Sequence, residues 1–94
     1  MTPSDAWRID LRLFLEARQR WIDRDRPSDA HIADLHDWIL DAMLDPANAG
    51  TPDPEIVGIW IGRPSRGVLV LYGLNADTKI ISVFEIGSPS SAAP

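Results

Sequence analysis

Three runs of β-branched and aromatic residues dominate the second half of the chain: Ile56-Val-Gly-Ile-Trp-Ile-Gly62, Val68-Leu-Val-Leu-Tyr-Gly-Leu74 and Lys79-Ile-Ile-Ser-Val-Phe-Glu-Ile-Gly87. Short turn signals separate them, Arg63-Pro-Ser-Arg-Gly67 and Asn75-Ala-Asp-Thr78. Runs of this composition and spacing predict an antiparallel meander. The middle run carries almost no polar side chain on either face, as a central strand does. Leu71, halfway along it, is expected in the core.

The first half carries helical periods. Trp7, Ile9, Leu11 and Leu13 alternate with Arg8, Asp10 and Arg12, which is the period of a half-buried strand. Leu11, Phe14, Leu15, Trp21 and Ile22 also form an apolar stripe at helical spacing, interrupted at Arg18. The two patterns together predict a short strand followed by a helix over about 13–25; one long helix from about residue 4 is the competing reading. Pro27 stops either version, because the residue before proline is pushed out of the α region. Ser28 then suits an N-cap, with Asp29 in the first turn. Ile32, Leu35, Ile39 and Met43, flanked by Trp38 and Ala42, give the buried stripe of a second helix. Residues 45–54 are a loop by composition, residues 1–6 a frayed lead-in, and residues 88–94 a flexible tail of small side chains. The expected architecture is a single α+β domain over residues 1–87. Its sheet has three to four mainly antiparallel strands and packs against two N-terminal helices.

Composition narrows the function more than the fold. Ninety-four residues with an apolar fraction of 45% suit one globular domain. No apolar run reaches the roughly 18 residues that a membrane span needs. Met1-Thr-Pro-Ser-Asp5 has neither a basic flank nor an apolar signal core, so export is not expected. The absence of cysteine removes disulfides, thiolate metal sites and thiol nucleophiles, and suits the cytoplasm.

Charge changes the picture again. The net charge is −5, unevenly spread: residues 1–26 hold six arginines against five acids, and residues 27–62 hold seven acids and no lysine or arginine. An acidic chain repels a nucleic-acid backbone, so direct nucleic-acid binding is disfavoured. Asp34, Asp37, Asp41 and Asp45 recur at spacings of three and four and so form one ridge on the second helix. That ridge is either a solvated helix face or a docking surface for a basic partner protein. Arg63 and Arg66 flank Pro64-Ser65 at an expected hairpin tip, where guanidinium groups can meet phosphate or carboxylate, or simply solubilise a turn.

Other chemistry finds little support. His31 and His36 stand five apart, on different helix faces, so the pair does not make a metal site. No nucleophile elbow and no glycine-rich phosphate loop occurs. The four tryptophans, Trp7, Trp21, Trp38 and Trp60, fall one to each main element, which suits a core better than a base-stacking surface. No cofactor and no metal is expected.

Leu69-Val-Leu-Tyr72-Gly-Leu-Asn-Ala-Asp77-Thr-Lys-Ile-Ile81-Ser-Val-Phe-Glu-Ile86 resembles the last hairpin of RelE/ParE-type toxins. Leu44-Asp45-Pro46 after the second helix, and a strand at Trp7–Leu11 leading into a helical hairpin, are similar to the same superfamily. The resemblance covers about residues 7–87. It implies a toxin of a toxin–antitoxin system, with an active face near Arg63, Arg66 and Tyr72 and a protein partner, either an antitoxin or a target. RNA-cleaving members commonly carry an arginine three residues before that tyrosine, where this chain has Leu69. They often end in a His-Arg pair, where Gly87 and Ser88 stand here. The resemblance therefore implies a member that binds a protein target, as the ParE branch does, and does not cut RNA. The alternative is an acidic, non-enzymatic interaction protein, of immunity, antitoxin-like or phage-inhibitor type, working through the aspartate ridge.

Overall fold

A computed structural model describes residues 7–88 of the chain; the expected lead-in over 1–6, and all of the expected tail beyond residue 88, lie outside the described residues. The order of elements is β1 (Arg8–Ile9), α1 (Leu11–Asp25), α2 (Asp29–Leu44), β2 (Gly50–Pro52), β3 (Trp60–Ser65), β4 (Val68–Asn75) and β5 (Ile80–Gly87). They form one sheet in the order β1-β5-β4-β3-β2. The uninterrupted apolar run is its central strand. Strands β2 to β5 pair antiparallel, while β1 joins β5 parallel, with Arg8 beside Ile80 and Ile9 beside Ile81. Both helices pack on one face, burying Phe14, Ala17 and Trp21 of α1 and Leu35, Trp38, Ile39 and Ala42 of α2. The sheet meets them with Val68, Val70, Tyr72, Ile81, Val83 and Ile86.

The short-strand reading of the N-terminus holds, with a boundary moved. Alternation ends at Ile9, because Asp10 caps α1: its carboxylate accepts the Leu13 N–H at 3.1 Å. An aspartate placed there satisfies one of the unpaired donors of the first turn, so the helix begins at Leu11. It ends at Arg26, whose left-handed backbone (φ 47°) lets its N–H reach the Ile22 carbonyl. Ser28 caps α2 by accepting the His31 N–H at 3.2 Å.

The sheet has five strands, one more than the upper expectation. Residues 50–52 pair with Gly62, Ile61 and Trp60 despite their loop-like composition. The first apolar run is also shorter as a strand than as a pattern. Asp53 accepts the N–H groups of Glu55 (2.7 Å) and Ile56 (3.1 Å), and Gly58 takes φ 88°. That side-chain turn leaves Ile56 and Val57 exposed and starts β3 at Trp60. The strand then runs through Arg63 to Ser65, with a register shift between Gly62 and Ser65, and the turn proper is Arg66-Gly67.

Side-chain alternation divides the sheet into a helix-covered face and an open one. Val68, Val70 and Tyr72 are fully buried, whereas Leu69 and Leu71 are only half-buried on the other side. Leu71 is therefore not a core residue. Phe84 is left over at a bulge, since Leu71 pairs with Glu85 and Tyr72 with Val83. Beyond β1, the open edge of β5 is covered by α1. Arg20 donates to the Phe84 carbonyl (3.0 Å) and Arg24 to the Ile86 carbonyl (2.6 Å), and both guanidinium groups reach Glu85 (3.8 and 3.3 Å). Arginines over a bare strand edge block pairing with another chain.

Candidate functional site

Tyr72 sits in the core, away from any contact surface. It is wholly buried, its hydroxyl donates to the Pro46 carbonyl at 2.9 Å, and its ring lies edge-on to Trp38 (5.2 Å) and stacked on Trp60 (6.3 Å). Burial pushes its phenol up to about 12 from the ordinary 10.0. This arrangement withdraws Tyr72 from the candidate basic face, because neither its proton nor its oxygen is free to meet a ligand. Its work is to tie the central strand to the loop after α2. Trp38 supports the same loop by donating its indole N–H to the Ala49 carbonyl at 3.0 Å.

The two candidate arginines part company. Arg63 is exposed in β3 and borders an open cleft of about 230 Å³ with Asn48, Ala49, Gly50, Thr51 and Ile61. Arg66 is in the β3–β4 turn, where the neighbouring Gly67 packs against the imidazole of His31. Arg66 does not line the cleft that Arg63 borders, and neither arginine forms an ion pair among the described residues.

The acidic ridge is realised in a graded way. Asp37 and Asp41 are exposed on α2, and Asp34 is half-buried. Asp45 is the C-cap, outside the helix proper, and accepts from Asn48 at 2.7 Å. None of the four forms an ion pair among the described residues, in contrast to α1, where Arg12 meets Glu16 at 3.6 Å and Arg24 meets Asp25 at 2.9 Å. The hydrogen bond to Asp25 is the main cause that raises the Arg24 pKa above its ordinary value.

One juxtaposition was not visible in the sequence. Asp41, Asp45, Trp38, Asn48 and Ala49 line an open cleft of about 350 Å³, and Asn48 and Ala49 are shared with the cleft that Arg63 borders. The basic and acidic candidates thus border two neighbouring clefts, separated by Asn48 and Ala49 of the α2–β2 loop. No signal short of the β2–β3 pairing would have found Asn48 or Thr51, since both lie in a stretch without periodicity. The histidines go separate ways: His31 lies beside Gly67, and His36 accepts from Arg18 Nε at 3.1 Å. Among the described residues, no group of three or more His, Asp or Glu side chains is placed to hold a metal ion. Likewise, no described helix is long and apolar enough to cross a membrane.

A helical hairpin on one face of a five-stranded sheet, with the first strand parallel beside the last, is a RelE-like fold. Among solved structures, the toxin–antitoxin complex RelBE2 from Mycobacterium tuberculosis contains a chain that superposes with a TM-score of 0.70, covering 88% of this chain and 98% of that one. The two sequences are 16% identical, so the likeness is one of fold. No protein-family model matches the chain, and no curated protein matches it significantly.

Proposed function

We propose that this chain is a toxin-family protein of the RelE/ParE kind, from a toxin–antitoxin system, which acts in the cytoplasm by binding a protein target and does not cleave RNA. The observation that carries the proposal is the fold likeness over nearly the whole chain. The chemistry of the open sheet face supports the second half of it. Proton transfer to or from RNA needs acid–base groups within hydrogen-bond reach of the reacting atoms. That face instead carries Ile61, Leu69, Leu71 and the 43%-exposed Phe84, with Arg63 at its margin, and Glu85, set beside Leu71 by the register, is held by Arg20 and Arg24. Tyr72 points the other way. An apolar face with a rim cation suits a protein surface better than a phosphate backbone.

The test has two arms. Expression in a bacterial host should arrest growth, and co-expression of the partner encoded beside it should relieve the arrest. In a purified translation system the protein should leave mRNA intact. Specific mRNA cleavage that disappears in Arg63→Ala or Arg66→Ala would overturn the binding mechanism. Absence of arrest, together with capture of a basic partner, would favour the second reading, an acidic interaction protein. That reading is kept because Asp34, Asp37 and Asp41 carry no internal counter-ion among the described residues.

A further inference from the structure

Four large apolar side chains on the helical hairpin are left uncovered: Leu11 (59% exposed), Leu15 (48%), Leu40 (60%) and Leu44 (75%). They recur four apart on each helix and so form one line per helix. They are not part of the core stripe, which on α2 is Leu35, Trp38, Ile39 and Ala42. Two contacts fix how the helices align. The Arg18 guanidinium bonds His36, and the Trp7 N–H bonds the Met43 carbonyl at 2.8 Å. With residue 18 beside 36 and residue 7 beside 43, Leu15 lies across from Leu40 and Leu11 across from Leu44. The result is one apolar strip along the outer seam of the hairpin, closed at one end by Arg18 and His36.

The flanks of the strip carry opposite charge. On the α1 side stands Arg12, its side chain 91% exposed, with Arg18 at the closed end. Glu16 is the acid on that flank, held by Arg12. On the α2 side stand Asp37 and Asp41, in a region without any cation. A ligand for this face must offer apolar side chains along its middle, acid over α1 and base over α2.

A second copy of this chain offers all three, and we propose that the leucine seam is a homodimer interface. For two such faces to meet, the two-fold axis must lie in the plane of contact. An axis across the helices would set α1 on α1 and α2 on α2, stacking aspartates on aspartates. An axis along the hairpin sets α1 of one copy on α2 of the other. This second choice brings Leu11 and Leu15 onto the other copy's Leu44 and Leu40. It also sets Arg12 against Asp41 and runs the facing helices antiparallel. Charge complementarity therefore selects the arrangement. From Leu11 to Arg18 the strip rises about 10 Å along α1, at ~1.5 Å per residue, and it is two helix diameters of ~10 Å wide, so it lies below the standard size of specific interfaces and suits a weak, transient contact. An interface this small gives a weak dimer, populated only at high protein concentration. The inference does not depend on the toxin reading, which concerns the opposite face of the molecule.

Sedimentation velocity on the full chain over roughly 1–200 μM, a span that brackets a weak specific interface, should show a monomer–dimer equilibrium. Leu15→Glu and Leu40→Glu should each shift it to monomer while melting as the wild type does when both are diluted to the monomer. Arg12→Asp and Asp41→Arg should each dimerise several-fold more weakly alone. Mixed one to one they should recover association, because both contacts of the mixed pair are then complementary. A wild-type chain that stays monomeric at the highest concentration overturns the proposal. So does a dimer that survives both leucine variants, or a charge-reversed mixture that binds no tighter than its components.

Discussion

Tyr72 shows how one residue is turned from surface chemistry to structure. It is the chain's single tyrosine, and a phenol that ionises near pH 10 in the unfolded chain is held neutral to about 12 in the fold by burial. The folded state thus binds the proton more tightly, so this contribution is fully present below pH 10 and drains away as pH rises towards 12. Two pKa units correspond to roughly 2–3 kcal/mol. Urea denaturation at intervals between pH 9 and 12 should show the wild type losing that much more stability than Tyr72→Phe. At neutral pH the order reverses, and the Phe variant should be weaker by about 1 kcal/mol, since the Pro46 carbonyl loses its donor. Equal slopes for the two proteins would mean that the phenol is accessible. Gly62 is the second residue with a single reason for being there. A Cβ at that position would run into the indole ring of Trp38, at the point where α2 presses on β3. Gly62→Ala should cost about 1–3 kcal/mol by overpacking, seen as a lower denaturation midpoint with an unchanged slope.

At the scale of elements, strand β4 separates what hydrophobic pattern can tell from what it cannot. Its run of apolar residues marked it as central, and it is the third of five strands. The run does not say which alternate residues face the helices, because both sets are apolar. Leu71, expected in the core, is half-buried on the open face, while Val70 beside it is wholly buried. Val70→Asp should therefore abolish folding, since an unpaired buried charge costs several kcal/mol against a total of about 5–10. Leu71→Asp should stay folded, with its midpoint lowered by no more than about 2 kcal/mol, the loss of partial burial. Circular dichroism on both proteins separates the two faces directly. The helices were legible because Ser28, Pro27 and the stripe from Ile32 to Met43 agree with one another. Strand β2 was not, because its three residues gain their order from Trp60, Ile61 and Gly62 rather than from their own propensity. The same holds at the site. Arg63 was visible as a residue, but its place in β3, and the cleft it borders with Asn48 and Ala49, depend on a register set by tertiary pairing. Leu40 and Leu44 were visible as well, yet they carry no mark in the sequence that separates a surface leucine from a buried one.

For the whole molecule, the question is whether charge or the open sheet face makes the functional contact. Acids without cations are gathered on α2 and the loop after it, whereas the arginines of α1 stand among nearly as many acids, so the aspartate ridge is the surface that draws a basic partner. Reversing Asp34, Asp37 and Asp41 to lysine tests the two readings together. Asp37 and Asp41 are exposed and Asp34 half-buried, and the core residues Leu35, Trp38, Ile39 and Ala42 are left alone. Exposed helix charges contribute only a few tenths of a kcal/mol each, so the melting temperature should move by a few degrees at most. Self-association should weaken, because Asp37 and Asp41 border the leucine seam. If the open sheet face is the functional one, growth arrest should persist at wild-type strength in the same variant, since neither Arg63 nor the apolar residues of β3 and β4 are touched. A parallel variant, Leu69→Asp with Leu71→Asp, should do the opposite, keeping self-association and losing arrest. Arrest lost in the lysine variant and kept in the sheet variant would move the functional contact to the aspartate ridge. A like-charged surface against a basic partner costs several kcal/mol, so that outcome would show as a loss of partner capture by orders of magnitude, not as a small shift.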